Sequence, residues 1–206
     1  MKLPGWFRAL TATVADGVRD VRISQDRQRL YLLAYSTTLP DVGDMVTTSQ
    51  LRTVDLRTGW VDSARYQREP DDEERAATEP GFWAWATAHA QEPMSSLSPT
   101  ETPWELYDGA KSDTQRPDRP ALQDGLRILR NERMLSTSYV QLLRAGHTAA
   151  TFAMTGATFV SSGCRKTLWV GAGRELNQVI IVTGSLRPSV LVVDAARGRR
   201  ILHTRV

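Results

Sequence analysis

The sequence predicts a mainly β (α+β) protein: two antiparallel β-meanders interrupted by a helical and loop insertion. Three observations carry this. Apolar runs of strand length recur at both ends of the chain, as in RLYLLAY (29–35), NQVIIVTG (177–184) and SVLVVDAARG (189–198). A strand entering Val-Asp, followed four residues later by Gly, occurs twice: Val54-Asp55 with Gly59, and Val193-Asp194 with Gly198. Between these ends, residues 67–135 change character and become acidic, Pro-rich and helix-like in places. The corresponding divisions are 1–66, an amino-terminal meander; 67–135, the insertion; and 136–206, a carboxyl-terminal meander expected to form one compact domain with the first.

In chain order, the amino terminus MKLPGWFRAL has an apolar run interrupted by Pro4, Gly5 and Arg8. It is expected neither as a signal peptide nor as an anchor, but as a segment packed on the body. VRDVRI (18–23) alternates apolar and charged residues as a half-buried strand does. The polar SQDRQ predicts a turn before the strand at 29–35, and Pro40 and Gly43 predict a long loop over 36–50. LRTVDLRTGWVDSARY (51–66) predicts a hairpin. The Asp55 carboxylate suits a turn because it can accept from nearby backbone N–H groups, and Gly59 supplies a positive φ. Asp55 and Asp194 are thus expected as turn residues rather than catalytic ones.

In the insertion, EPGFWAWATAHAQEP (79–93) predicts a helix. Pro80 fits its first turn, and Phe82, Trp85, Ala86 and His89 make one face, with Trp83 lying off it. Four prolines between 93 and 117 predict an extended connector over 94–119. PALQDGLRILRNERML (120–135) predicts a second helix through Leu122, Leu126 and Leu129, against the presence of Gly125. The rest, 136–206, predicts successive strands with Gly-containing turns, an antiparallel meander.

Aligning 23–59 with 160–198 sets Ile23-Ser24 against Val160-Ser161, Leu30-Tyr31 against Leu168-Trp169, and the two Val-Asp…Gly turns against each other. The segment Ser24, Asp26, Leu30, Tyr31, Val54, Asp55, Thr58, Gly59 resembles the blades of surface-layer and quinoprotein β-propellers. The second copy keeps Ser161, Leu168, Trp169, Val193, Asp194 and Gly198, lacks the early Asp, and has Arg197 in place of the Thr. The resemblance implies four-stranded meanders of about 40 residues. It implies no single activity. Because 67–135 does not read as blades and a closed propeller needs at least four, two blade-like meanders are expected rather than a ring.

Function is constrained mainly by charge and by absences. The net charge is only +3, yet residues 62–124 hold 14 acidic against 6 basic side chains, and 125–206 hold 12 basic against 3 acidic. Such asymmetry predicts either mutual neutralisation or presentation to a partner. Of the 26 basic residues 23 are Arg, a bias that fits a GC-rich bacterial or phage origin. The single Cys164 leaves no internal disulfide and no multi-cysteine zinc site. No window is long and apolar enough for a membrane span. Neither a phosphate loop nor a zinc spacing is present, and Gly171-Ala172-Gly173 is expected as a turn. No cofactor, metal set or catalytic set is therefore assigned, and an enzyme is the less favoured class.

The expected function is a non-enzymatic, cytoplasmic or virion protein that binds another protein, such as an inhibitor or an assembly subunit of a bacterial or phage particle. Its expected contacts are Arg197, Arg199, Arg200, Arg205 and Trp169 in the basic third, with Trp83 and Trp85 in the insertion. The alternative is a nucleic-acid-binding accessory protein, in which the arginines pair with phosphate and Trp169 stacks on a base. A thiol enzyme built on Cys164, His147 and Asp194 is the third class, since an imidazole beside a thiol lowers its pKa.

Overall fold

The computed structural model describes residues 12–39, 46–66, 80–98, 105–108, 125–130, 137–145, 147–155, 168–175, 177–184 and 187–206. The amino-terminal segment, Cys164 and most of the 94–119 connector lie outside them.

The described chain is mostly strand, in three sheets. The first is the expected four-stranded meander, but with longer strands, since 36–39 and 46–50 pair as strand rather than forming the expected loop: β1 (Ala12–Ser24), β2 (Arg29–Leu39), β3 (Val46–Asp55) and β4 (Val61–Arg65) pair antiparallel in sequence order. A short strand, β5 (Met94–Ser96), returns after the helix and adds to β1, giving the order β4-β3-β2-β1-β5. The second sheet is β6 (Glu105–Asp108), β7 (Gly125–Arg130), β8 (Thr137–Arg144) and β9 (His147–Thr155), parallel between β6 and β7 and antiparallel thereafter. The third is β10 (Leu168–Ala172), β11 (Gln178–Thr183), β12 (Ser189–Asp194) and β13 (Arg199–Arg205), an antiparallel meander.

The third sheet is the middle layer. Successive residues on a strand point to opposite faces, so a strand buried on both faces needs an unbroken apolar run. QVIIVT and SVLVVD supply this. Ile180, Val182, Val190 and Val192 join Trp169 in a core with Val18, Val21, Ile23, Leu30, Leu32 and Val54 of the first sheet. The intervening Val179, Ile181, Leu191 and Val193 join Leu126, Val140, Leu142 and Met154 of the second. Each such side chain contributes about 1.5–3 kcal/mol through burial.

The other face of the first sheet is covered by α1 (Pro80–Ala90). The helix buries Phe82, Trp83 and Ala86 against Tyr31, Leu33 and Leu51, while Trp85 is half-buried and His89 exposed. This corrects the expected face. Trp83 turns inward because its ring lies under the Arg22 guanidinium, 4.4 Å from the centroid, and meets Phe82 edge-on. The helix ends at Gln91 in the left-handed region, its N–H donating to the Thr87 carbonyl at 2.9 Å. Glu92 then anchors the end to β2 by accepting from Tyr31 Oη and from Arg29 Nη1.

Two further expectations are corrected. Residues 125–130 are strand, not helix: Leu126 pairs with Leu142 and Ile128 with Val140 in the backbone ladder with β8. A three-to-four-residue apolar spacing overlaps a two-residue one here, and the pairing with β8 decides between them. The second meander expected over 136–206 divides, since β8 and β9 belong with β7 and only 168–206 makes the four-stranded meander. The repeat is likewise narrower than the alignment implied. β2 pairs directly with β3, but β10, aligned with β2, is separated from β12 by β11. The equivalence holds for the β3–β4 and β12–β13 hairpins.

The layers meet closely at β10. A Cβ on Gly171 would overlap the Leu97 side chain and come within 3.1 Å of the Ser98 carbonyl oxygen. Gly171→Ala is expected to lower stability by about 1–3 kcal/mol in chemical denaturation. Gly81→Ala, where among the described residues only Tyr66 Oη comes within 4 Å of the added Cβ, at 3.9 Å, is expected to be neutral or stabilising by up to about 1 kcal/mol.

Candidate partner-binding edge

The two Asp…Gly turns are built alike, and both hold one layer on another. The Asp55 carboxylate accepts from Arg57 N–H, Thr58 N–H and Thr58 Oγ1, and Gly59 turns the chain at φ 77°. At the second turn Asp194 accepts from Arg197 N–H at 3.0 Å, and the Arg197 guanidinium, 3.3 Å away, stands where Thr58 placed a hydroxyl. Gly198 repeats the positive φ at 61°. The Gly59 carbonyl accepts from Thr204 Oγ1 at 3.1 Å, which sets the first turn on β13. Gly198 lies against Leu142 and Ala150, and Arg144 Nη2 donates to the Ala195 and Ala196 carbonyls, which sets the second turn on the second sheet.

These contacts define the surroundings of β13, an edge strand of the middle sheet. Leu202 and Thr204 face the first sheet, where Gly59 abuts Leu202. His203 and Arg205 lie opposite Leu191 and Ser189, on the side of the second sheet, and Arg200 lies opposite Val193 on the same side. A bulge between Val192 and Val193 displaces Ile201 from the ladder. Ile201 is 42% exposed, and Trp60, next in the chain to Gly59, is 73% exposed. They are the large apolar side chains exposed among the described residues, and Trp60 directly follows Gly59, whose carbonyl is held by Thr204 Oγ1 of β13.

The predicted contact residues separate into two groups. Arg197, Arg199, Arg200 and Arg205 are exposed. Arg197 and Arg199 are paired with Asp194, at 3.3 and 3.5 Å, whereas no carboxylate pairs with Arg200 or Arg205 among the described residues. The tryptophans are elsewhere. Trp169 is 2% exposed in the core between the first and third sheets, so it offers no face for stacking on a base. Trp83 is 6% exposed under Arg22. Trp85 packs on Tyr66 and Phe82 and stacks on His89 at 5.3 Å. Sequence reasoning singled out these rings as contacts. The aromatic actually exposed, Trp60, was marked only by its place directly after a turn glycine. Of the thiol-enzyme set, His147 is exposed at the start of β9, Asp194 is committed to Arg197 and Arg199, and Cys164 lies outside the described residues. No group of three or more metal-ligating side chains occurs among the described residues.

Electrostatics supports the turn role of the aspartates. Hydrogen bonds from Thr58 N–H and Oγ1 hold the Asp55 carboxyl below the ordinary range. At Asp194 burial pushes upward, but the Arg197 N–H bond and the Arg197 and Arg199 charges outweigh it and leave the pKa lowered. His203 is shifted down, first by burial and then by the Arg200 and Arg205 charges, and its Nε2 is buried without a hydrogen-bond partner among the described residues.

No helix among the described residues is long and apolar enough to cross a membrane. Compared with protein-family models, curated proteins and solved structures, the chain matches none.

Two pH effects follow, of opposite origin. Folded Asp55 and Asp194 bind protons more weakly than the unfolded chain, whose carboxyls titrate near 3.8. The stability they contribute is present above that value and is lost as pH falls through their lower folded pKa values. Folded His203 also binds its proton more weakly than the unfolded value of 6.5. Stability is therefore expected to decline as pH falls from 6.5 through the lower folded value, where the unfolded chain takes up a proton that the folded chain refuses. Urea midpoints across about pH 5–8 should show this decline in the parent and a flatter profile in His203→Gln.

Proposed function

We propose that the chain is a non-enzymatic protein-binding or assembly subunit that docks its partner along β13. The carrying observations are two exposed apolar side chains: Ile201 on the arginine-bearing edge strand itself, and Trp60, next in the chain to the Gly59 whose carbonyl is held by Thr204 of that strand. Aromatic residues and arginine are the types enriched at protein interfaces, because each combines large contact area with polar or charged recognition. The remaining tryptophans at the candidate positions are occupied by core and helix packing, so the docking surface shifts from the three predicted rings to Trp60. An assembly subunit, of a bacterial or phage particle or of another complex, and an inhibitor of another protein share this requirement.

Nucleic-acid binding is the second reading, favoured by the exposed guanidiniums of Arg200 and Arg205 that meet no carboxylate among the described residues. It requires retention that falls steeply with salt, because phosphate contacts release counterions.

The deciding measurement is recovery of partners from the native host on immobilised chain. Trp60→Asp and Ile201→Asp are expected to lose a protein partner while keeping the parent's circular dichroism and melting temperature, since neither side chain is buried. Unchanged recovery with both variants would overturn the reading. Recovery of nucleic acid alone, abolished by moderate salt, would establish the second one.

A further inference from the structure

We propose that the segment captured at β13 is an extended strand of alternating acidic and apolar residues, added to the middle sheet as a fifth strand. This rests on the docking reading above and specifies its chemistry.

The backbone provides the first argument. Val206 N–H donates to the Pro188 carbonyl at 2.9 Å, in register with Thr204 opposite Val190 and Arg205 opposite Ser189. Antiparallel pairs alternate between hydrogen-bonded and non-bonded. The N–H and C=O groups of Leu202 and Thr204 are thus turned to β12, and those of His203 and Arg205 to the edge. Among the described residues no strand pairs with that edge. An added strand would satisfy these groups, as in β-augmentation.

The two flanks provide the second argument. Side chains of an added strand alternate between faces. Those on the first-sheet side come to Trp60, and those on the second-sheet side come to Arg200 and Arg205. The first calls for an apolar residue and the second for a carboxylate, hence the alternation. The same charges exclude a second copy of this edge as the occupant, since pairing β13 with itself brings arginines against arginines.

The test uses the full chain and a fluorescein-labelled eight-residue peptide alternating Glu and Val, read by anisotropy. Three controls accompany it: the same peptide N-methylated at every residue, a block peptide of four Glu and four Val, and a labelled single-stranded oligonucleotide. Saturable binding of the alternating peptide is expected, weakened at least tenfold by N-methylation, which keeps every charge and removes every backbone donor. The block peptide should bind more weakly than the alternating one. Arg205→Ala should weaken binding, and Arg205→Pro, which also removes an outward N–H that β12 does not use, should weaken it further. Equal affinity for the N-methylated peptide would overturn strand addition, as would preference for the oligonucleotide or no binding of the alternating peptide. None of these would by itself restore partner recovery to Trp60→Asp or Ile201→Asp, so failure here is distinguishable from failure of the docking reading.

Discussion

Everything else in the structure leans on the burial of β10–β12 on both faces. A sheet with one wet face can alternate polar and apolar residues, but this one presents Val179 and Ile181 to one neighbour and Ile180 and Val182 to the other. Its strands therefore have no tolerance for a register slip that carries polar residues inward. Thr183 and Ser189, the polar residues that are buried at its end, both donate their hydroxyls to the Thr155 carbonyl of the second sheet, and the Ser189 N–H donates to Thr183 Oγ1. Their hydroxyls thus tie two layers together where hydrophobic contact ends, meeting the requirement that buried polar groups find partners.

The Asp…Gly turn is the second organising device. Within each hairpin it acts locally, as a carboxylate gathers backbone N–H groups and a glycine takes a positive φ. Its wider role comes from where the glycine lands. Gly59 and Gly198 have no Cβ, and each lets its turn settle on an adjacent layer, at Leu202 in one case and at Leu142 and Ala150 in the other. The substitution of Arg197 for the Thr58 position conserves the function by different chemistry, a guanidinium in place of a hydroxyl beside the same carboxylate.

The settling of the first turn also creates the surface with most chemical content. β13 is needed by the core through Leu202, yet it also carries the exposed Arg200, Arg205 and displaced Ile201. Arginines on an open edge serve to prevent unwanted strand pairing. On the proposed strand capture, the same residues would also make the edge selective, favouring acidic strands over neutral or basic ones.

The sequence by itself determined the β-rich character, the first meander, the helix following Pro80 and the turn roles of Asp55, Gly59, Asp194 and Gly198. These rest on local physics: alternation, proline and glycine geometry, and short-range hydrogen bonding. It did not determine that 125–130 extends as a strand, because the spacing of Leu126 and Leu129 serves a helix while that of Leu126 and Ile128 serves a strand. Only pairing with β8 resolves this. Nor did it determine which tryptophans are exposed. Trp83, Trp85 and Trp169 look like contacts when read singly, and Trp60 looks like a turn neighbour. Exposure depends on which layer lies over each ring, and that is decided by segments far apart in the chain: Val18–Val54 over Trp169, Arg22 over Trp83, and β13 beneath the turn that leaves Trp60 in solvent.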